Sequence, residues 1–103
     1  MNLEDVQFLC ASIDPDIRHY FTTETKKNYS YWEEINVLPF LADDHHEPAW
    51  RFAIHRFTRI ERDPVVRRLF DVLENDDRIA YSYTSDFEQD TGYIHHVFTC
   101  EGC

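Results

Sequence analysis

The sequence predicts an α+β domain: an N-terminal helix followed by two αββ units, with a four-stranded antiparallel sheet and helices packed on one of its faces. Three observations carry that reading. The motif Asp-Pro-x-(Ile/Val)-Arg-x-x-Phe is written twice, at residues 14–21 and 63–70. Each copy is followed by a Tyr-Ser-Tyr triplet, at 29–31 and 81–83, and then by a His-x-Phe-Thr segment, at 55–58 and 96–99. Val66, Leu69, Phe70 and Leu73 stand at i, i+3, i+4 and i+7, the spacing of one helical face. One domain is expected over residues 1–103, divided into a helix at 1–13, a first unit at 14–61 and a second at 62–103.

Each element follows from local chemistry. Leu3, Val6, Leu9, Cys10 and Ile13 recur at helical spacing, and Glu4 and Asp5 suit the positive end of the helix dipole. Pro15 should end this helix, because the residue before a proline is pushed out of the helical region. Asp14 then reads as the N-cap of a second helix running to about Lys27, with Pro15 at its first position, where a missing N–H costs nothing. Residues 29–41 and 50–60 are rich in aromatic and β-branched side chains and read as strands, joined by a polar loop at 42–48. Asp63-Pro64 repeats the cap and opens a helix to about Asn75. Strands at 78–85 and 93–100 follow, joined by a turn at 86–92. The repeat aligns His55 and Phe57 with His96 and Phe98, so both histidines are expected on the inward face, held there by tyrosine or backbone partners.

Composition bounds the function. The chain has 103 residues, 43% hydrophobic and 16% aromatic, enough for one modest core. Twenty acidic and ten basic side chains leave a net charge of −10. Such a surface repels nucleic-acid phosphates and anionic membranes, so a charged partner should be a basic protein. The first 49 residues hold ten acids against three bases, and six of the seven arginines that follow lie between Arg51 and Arg68. No basic segment followed by an apolar run stands at the N-terminus, and three cysteines suit a reducing compartment, so a cytoplasmic location is expected.

No motif of high specificity for catalysis is present: no P-loop, dinucleotide fingerprint, His-Glu-x-x-His or EF-hand loop. No catalytic residue and no enzymatic activity are expected. Adjacent carboxylates such as Glu33-Glu34 point to opposite faces of a strand and make no acid/base couple. Cys100 and Cys103 have the spacing of half a zinc site, which His45 and His46 would have to complete. A second pair of comparable spacing is lacking, so no cofactor is expected, and zinc is the metal those four residues would take.

The expected function is that of a small acidic interaction module which binds and blocks a basic, nucleic-acid-binding surface of a partner protein. In size and charge alone the chain resembles DNA mimics, anti-restriction and anti-CRISPR proteins and immunity proteins. Its carboxylates would stand in for phosphates against arginine and lysine. The expected contacts are Asp43, Asp44 and Glu47 in the polar loop, Asp76 and Asp77 after the helix, and Asp86, Glu88 and Asp90 in the last turn, with Trp32 and Tyr83 as aromatic anchors. The alternative is a small-ligand or metal-binding domain with a cleft between two αββ halves. Open sheet edges and surplus aromatic residues also fit a homodimer.

Overall fold

The computed structural model describes residues 1–20, 27–38 and 49–102. Helix α1 spans Leu3–Ile13, strand β1 Arg18–His19, β2 Tyr29–Leu38, β3 Ala49–Thr58, helix α2 Pro64–Glu74, β4 Ile79–Phe87 and β5 Ile94–Gly102. The fold is α+β, and the N-terminal helix is where the hydrophobic spacing put it. The sheet is five-stranded and mixed rather than four-stranded and antiparallel. Its order is β1-β2-β3-β5-β4, with β1 parallel to β2 and every other neighbour antiparallel.

The fifth strand stands where a second helix was expected. Asp14 is the C-cap of α1 instead of the N-cap of a new helix. The chain turns through Ile17, whose N–H donates to the Asp14 carbonyl at 3.1 Å, and Arg18-His19 then pairs with Tyr31-Trp32. The physical reason is the stripe. After Asp63-Pro64 the apolar positions continue to i+7 and bury Val66, Leu69 and Leu73. After Asp14-Pro15 they stop at Tyr20-Phe21 and give way to Thr22-Thr23-Glu24-Thr25-Lys26-Lys27, which has nothing to bury. The helix of the first half is therefore α1, and that half reads α1, β1, β2, β3.

Local caps match the sequence where helices do form. Asn2 and Asp5 close a capping box on α1, each side chain accepting from the other's backbone N–H at 2.9 Å. The Asp63 side chain accepts from the Val65 N–H at the start of α2, with Pro64 in the first turn.

Both helices pack on one face of the sheet. Val6, Leu9, Cys10 and Ile13 of α1 and Val66, Leu69 and Leu73 of α2 meet Trp32, Phe52, Ile54, Phe98 and Cys100, and all are buried. Burying each large side chain contributes roughly 1.5–3 kcal/mol. Because strand side chains alternate, the residues between these belong to the opposite face: Tyr29, Tyr31 and Glu33 on β2, Arg51, Ala53, His55 and Phe57 on β3, His95, Val97 and Thr99 on β5, and Ala80, Ser82 and Thr84 on β4. Among the described residues no element covers this second face.

The registers correct the assignment of the histidines. Arg56 pairs with His96 and His55 with Val97, so His96 and Phe98 share the helix-covered face while His55 and Phe57 lie on the open one. The tyrosine triplets follow their hairpins: Tyr81 and Tyr83 face the helices, and Tyr29 and Tyr31 do not. Each hairpin keeps its own tyrosines and its own His-x-Phe on one face, but the two hairpins show them to opposite faces. A shift of one residue is enough for this, since the side-chain period is two.

Candidate functional site

The open face carries a continuous array of rings across three strands. Tyr29 stacks on Phe57 at 4.8 Å between centroids, and Phe57 stacks on His95 at 4.0 Å. Tyr31 stacks on His55 at 4.4 Å. His55 Nδ1 and His95 Nε2 are 2.8 Å apart, so one imidazole donates a proton to the other. The array exists because Tyr29, Tyr31, His55, Phe57 and His95 alternate with inward residues on adjacent antiparallel strands, which sets them side by side. All five are half-buried, and among the described residues no second layer covers them.

Carboxylates border the rings. Glu33 Oε1 lies 3.6 Å from His55 Nε2, longer than a hydrogen bond but close enough for charge to be felt. Burial holds His55 below the ordinary imidazole range, Glu33 opposes that, and His95 adds to it. Burial also lowers His95, while Glu88 and Asp86 pull it back up. At the lower end Tyr93 packs edge-on against both Tyr29 and Phe57, and the Arg59 guanidinium sits 3.9 Å above the Tyr93 ring. The chain thus already places one arginine on this aromatic surface.

Among the described residues the expected contacts are dispersed. Asp86, Glu88 and Asp90 surround the β4–β5 turn, beside the ring array. Asp76 and Asp77 stand at the other end of β4, about 27 Å away for nine strand residues. Asp76 is engaged by the Arg78 guanidinium at 2.8 and 3.0 Å, and that contact lowers its carboxyl pKa. Asp43, Asp44, Glu47, His45, His46 and Cys103 lie outside the described residues. Trp32 is not a surface anchor: it is 1% exposed, donates from Nε1 to Gln7 Oε1 at 2.9 Å and stacks on His19. Tyr83 is half-buried on the helix-covered face, with its hydroxyl 2.6 Å from His96 Nδ1, the tyrosine partner expected for that histidine. His96 Nε2 is buried with no hydrogen-bond partner among the described residues.

Cys100 is fully buried in the helix-side core, where burial pushes its thiol up to about 12 and its Sγ donates to the Phe98 carbonyl at 3.6 Å. A thiol in that environment is a poor metal ligand. Among the described residues, no three His, Cys, Asp or Glu side chains are grouped to hold a metal ion.

Two further clusters escaped the sequence reading. Arg56, 7% exposed, donates from Nε to Asp63 Oδ2 at 2.8 Å and from Nη1 to Ser30 Oγ at 3.2 Å and Asp14 Oδ2 at 3.4 Å. These are the two aspartates of the doubled motif. Each also accepts the N–H two residues on, at Asp16 and Val65. A polar cavity of about 450 Å³ opens beside them, lined by Asp14, Asp16, Arg18, Lys27, Asn28, Tyr29, Arg56 and Val65. Where β1 pairs with β2, Glu34 accepts from the Tyr20 hydroxyl and meets His19 Nε2 at 2.5 Å, with Tyr20 at a positive φ of 78°. No signal short of the strand register could have joined His55 to His95, but Tyr29 and Tyr31 on either side of a serine did mark two rings on one strand face.

No protein-family model matches the chain, and no curated protein matches it in sequence.

Proposed function

We propose that this protein is a cytoplasmic, non-enzymatic interaction module that binds a basic partner protein through the open face of its sheet. The observation that carries the reading is the array of Tyr29, Tyr31, His55, Phe57 and His95, which no described element covers and which Glu33, Asp86 and Glu88 border, on a chain of net charge −10. An arginine or lysine of the partner would lie against a ring while its charge meets a carboxylate, as Arg59 lies on Tyr93 within the chain. Tyrosine loses little conformational freedom on binding, which is why such rings anchor interfaces. The partner's basic surface would be one that otherwise holds nucleic acid, and its occupation would block it. Of the expected acidic contacts among the described residues, Asp86, Glu88 and Asp90 stand nearest the array.

An arginine-rich peptide is the direct probe. Its affinity should fall steeply from low to high salt, and Glu33→Gln with Tyr31→Ala should weaken it about tenfold or more, an interface loss of about 1.4 kcal/mol. Affinity indifferent to salt, or to both substitutions, would overturn the reading. The polar cavity beside Arg56 favours one alternative, a small-ligand site between the halves. That site predicts a thermal shift with a small ligand that Arg18→Ala abolishes.

A further inference from the structure

We propose that β4 is a self-pairing edge, through which two copies of this chain join their sheets across a twofold axis at Tyr83. This rests on the edge of the sheet and is independent of the open-face reading.

β4 is the last strand of the sheet, and among the described residues nothing pairs with its outer side. Soluble proteins blunt such edges with lysine, proline, bulges or very short strands. β4 has none of these. Ile79-Ala80-Tyr81-Ser82-Tyr83-Thr84-Ser85-Asp86-Phe87 is nine residues long, pairs with β5 without a register shift, and holds one charge. In a chain of which 29% is charged, the seven uncharged residues from Ile79 to Ser85 are out of character for a solvent-facing edge. The other end of the sheet is treated differently: β1 covers part of the outer side of β2, and β2 carries a register shift between Glu34 and Asn36.

The hydrogen-bonding phase identifies which groups are free. The Glu88 N–H donates to the Tyr93 carbonyl at 2.8 Å, in the register that continues along β4 and β5. Alternation then turns the N–H and C=O of the even residues toward β5, and those of Ile79, Tyr81, Tyr83, Ser85 and Phe87 outward. Antiparallel pairing of two β4 strands uses all nine residues only if the axis passes through Tyr83. That register opposes Ile79 to Phe87, Tyr81 to Ser85, Ser82 to Thr84 and Ala80 to Asp86. No charge meets its own kind, and the exposed Phe87, 59% accessible, gains an apolar partner. About ten main-chain hydrogen bonds would form. On the helix-covered side, Phe70 of α2 packs edge-on or tilted against Tyr81 and Tyr83, and the Tyr81 hydroxyl donates to Glu74. The occupant this edge fits is a second copy, because in that register the residues flanking β4, Arg78 and Glu88, would also stand opposite each other with opposite charges.

The test uses the full chain. Ser82 and Thr84 are exposed and oppose each other across the proposed axis. Sedimentation equilibrium should give twice the 12.4 kDa chain mass for the natural protein. Ser82→Glu with Thr84→Glu should give the monomer mass, because like charges then face each other twice. Ser82→Lys with Thr84→Glu should restore the dimer, because the same sites then hold opposite charges. A monomeric natural protein, a dimer unaffected by the double glutamate, or no recovery in the lysine–glutamate variant would each overturn the proposal. The recovery arm separates loss of pairing from loss of folding, since both variants carry two new charges at the same sites.

Discussion

Arg56 is a cation held inside an acidic protein by the two aspartates of its doubled motif. Asp14 and Asp63 are 8% and 4% exposed, and Arg56 is the charge that balances both. Burial pushes the Asp63 carboxyl up, but the Arg56 hydrogen bond and the Val65 N–H outweigh it and leave the group below its ordinary range. Replacing a buried ion pair with apolar groups can be neutral, whereas removing one partner strands the other. Arg56→Met should therefore cost about 3–5 kcal/mol in urea unfolding, and adding Asp14→Asn and Asp63→Asn should recover part of it. A loss below about 1 kcal/mol for the single substitution would mean that the clamp does not organise the fold. The aspartates were legible as a repeated pair in the sequence. Their common partner was not, because Arg56 is 42 residues from Asp14 and nothing local connects them.

At the scale of the element, α2 shows what periodicity can decide. Its stripe of Val66, Leu69 and Leu73 is buried against the sheet, as the spacing predicts. Leu69, 1% exposed, should cost about 2–4 kcal/mol when cut to alanine, by lost transfer energy and the cavity left behind. Phe8 is a control from the other helix: it is 76% exposed, and Phe8→Ala should change stability by less than about 0.5 kcal/mol. Equal effects from the two substitutions would contradict the packing. The segment after Asp14 shows where local rules end. Asp-Pro sets an Asx turn in both halves, and both turns form, but only the second is followed by enough apolar surface to hold a helix. In the first the chain finds its hydrogen bonds in β2 instead, and His19 stacks on Trp32.

Across the whole molecule, acid should act in two stages. His55, His95 and His96 are all lowered, chiefly by burial, so their folded-state pKa values lie below the unfolded value of about 6.5. Between those values the unfolded chain binds more protons. The stability tied to the neutral rings is complete above about pH 6.5 and is lost as pH falls through the folded values. Asp63 and Glu34 are lowered although burial opposes it, and Asp76 is lowered by Arg78. Their contribution is present above the unfolded carboxylate range, near pH 4, and goes as pH falls below it. Urea midpoints at physiological ionic strength should decline from about pH 7 to 5 and again below about pH 4. A flat profile between pH 8 and 5 would show that the three imidazoles titrate alike in the folded and unfolded chains. Among the described residues no helix is long and apolar enough to cross a membrane.

The sequence by itself determined the α+β class, the N-terminal helix, α2 with its aspartate cap and proline, and the two antiparallel hairpins. Each of these depends on residues within one turn or one strand of each other, where propensity, capping and period act directly. Tertiary structure alone decided the rest. It placed β1 beside β2, brought Asp14 and Asp63 to Arg56, buried Trp32, and turned His55 to the open face while His96 faced the helices. Those outcomes depend on strand register and on packing between distant segments. A register changes by one residue without changing composition, yet it moves every side chain of a strand to the other face. The candidate site is made of such choices: five rings from three strands, adjacent only because β3 lies between β2 and β5.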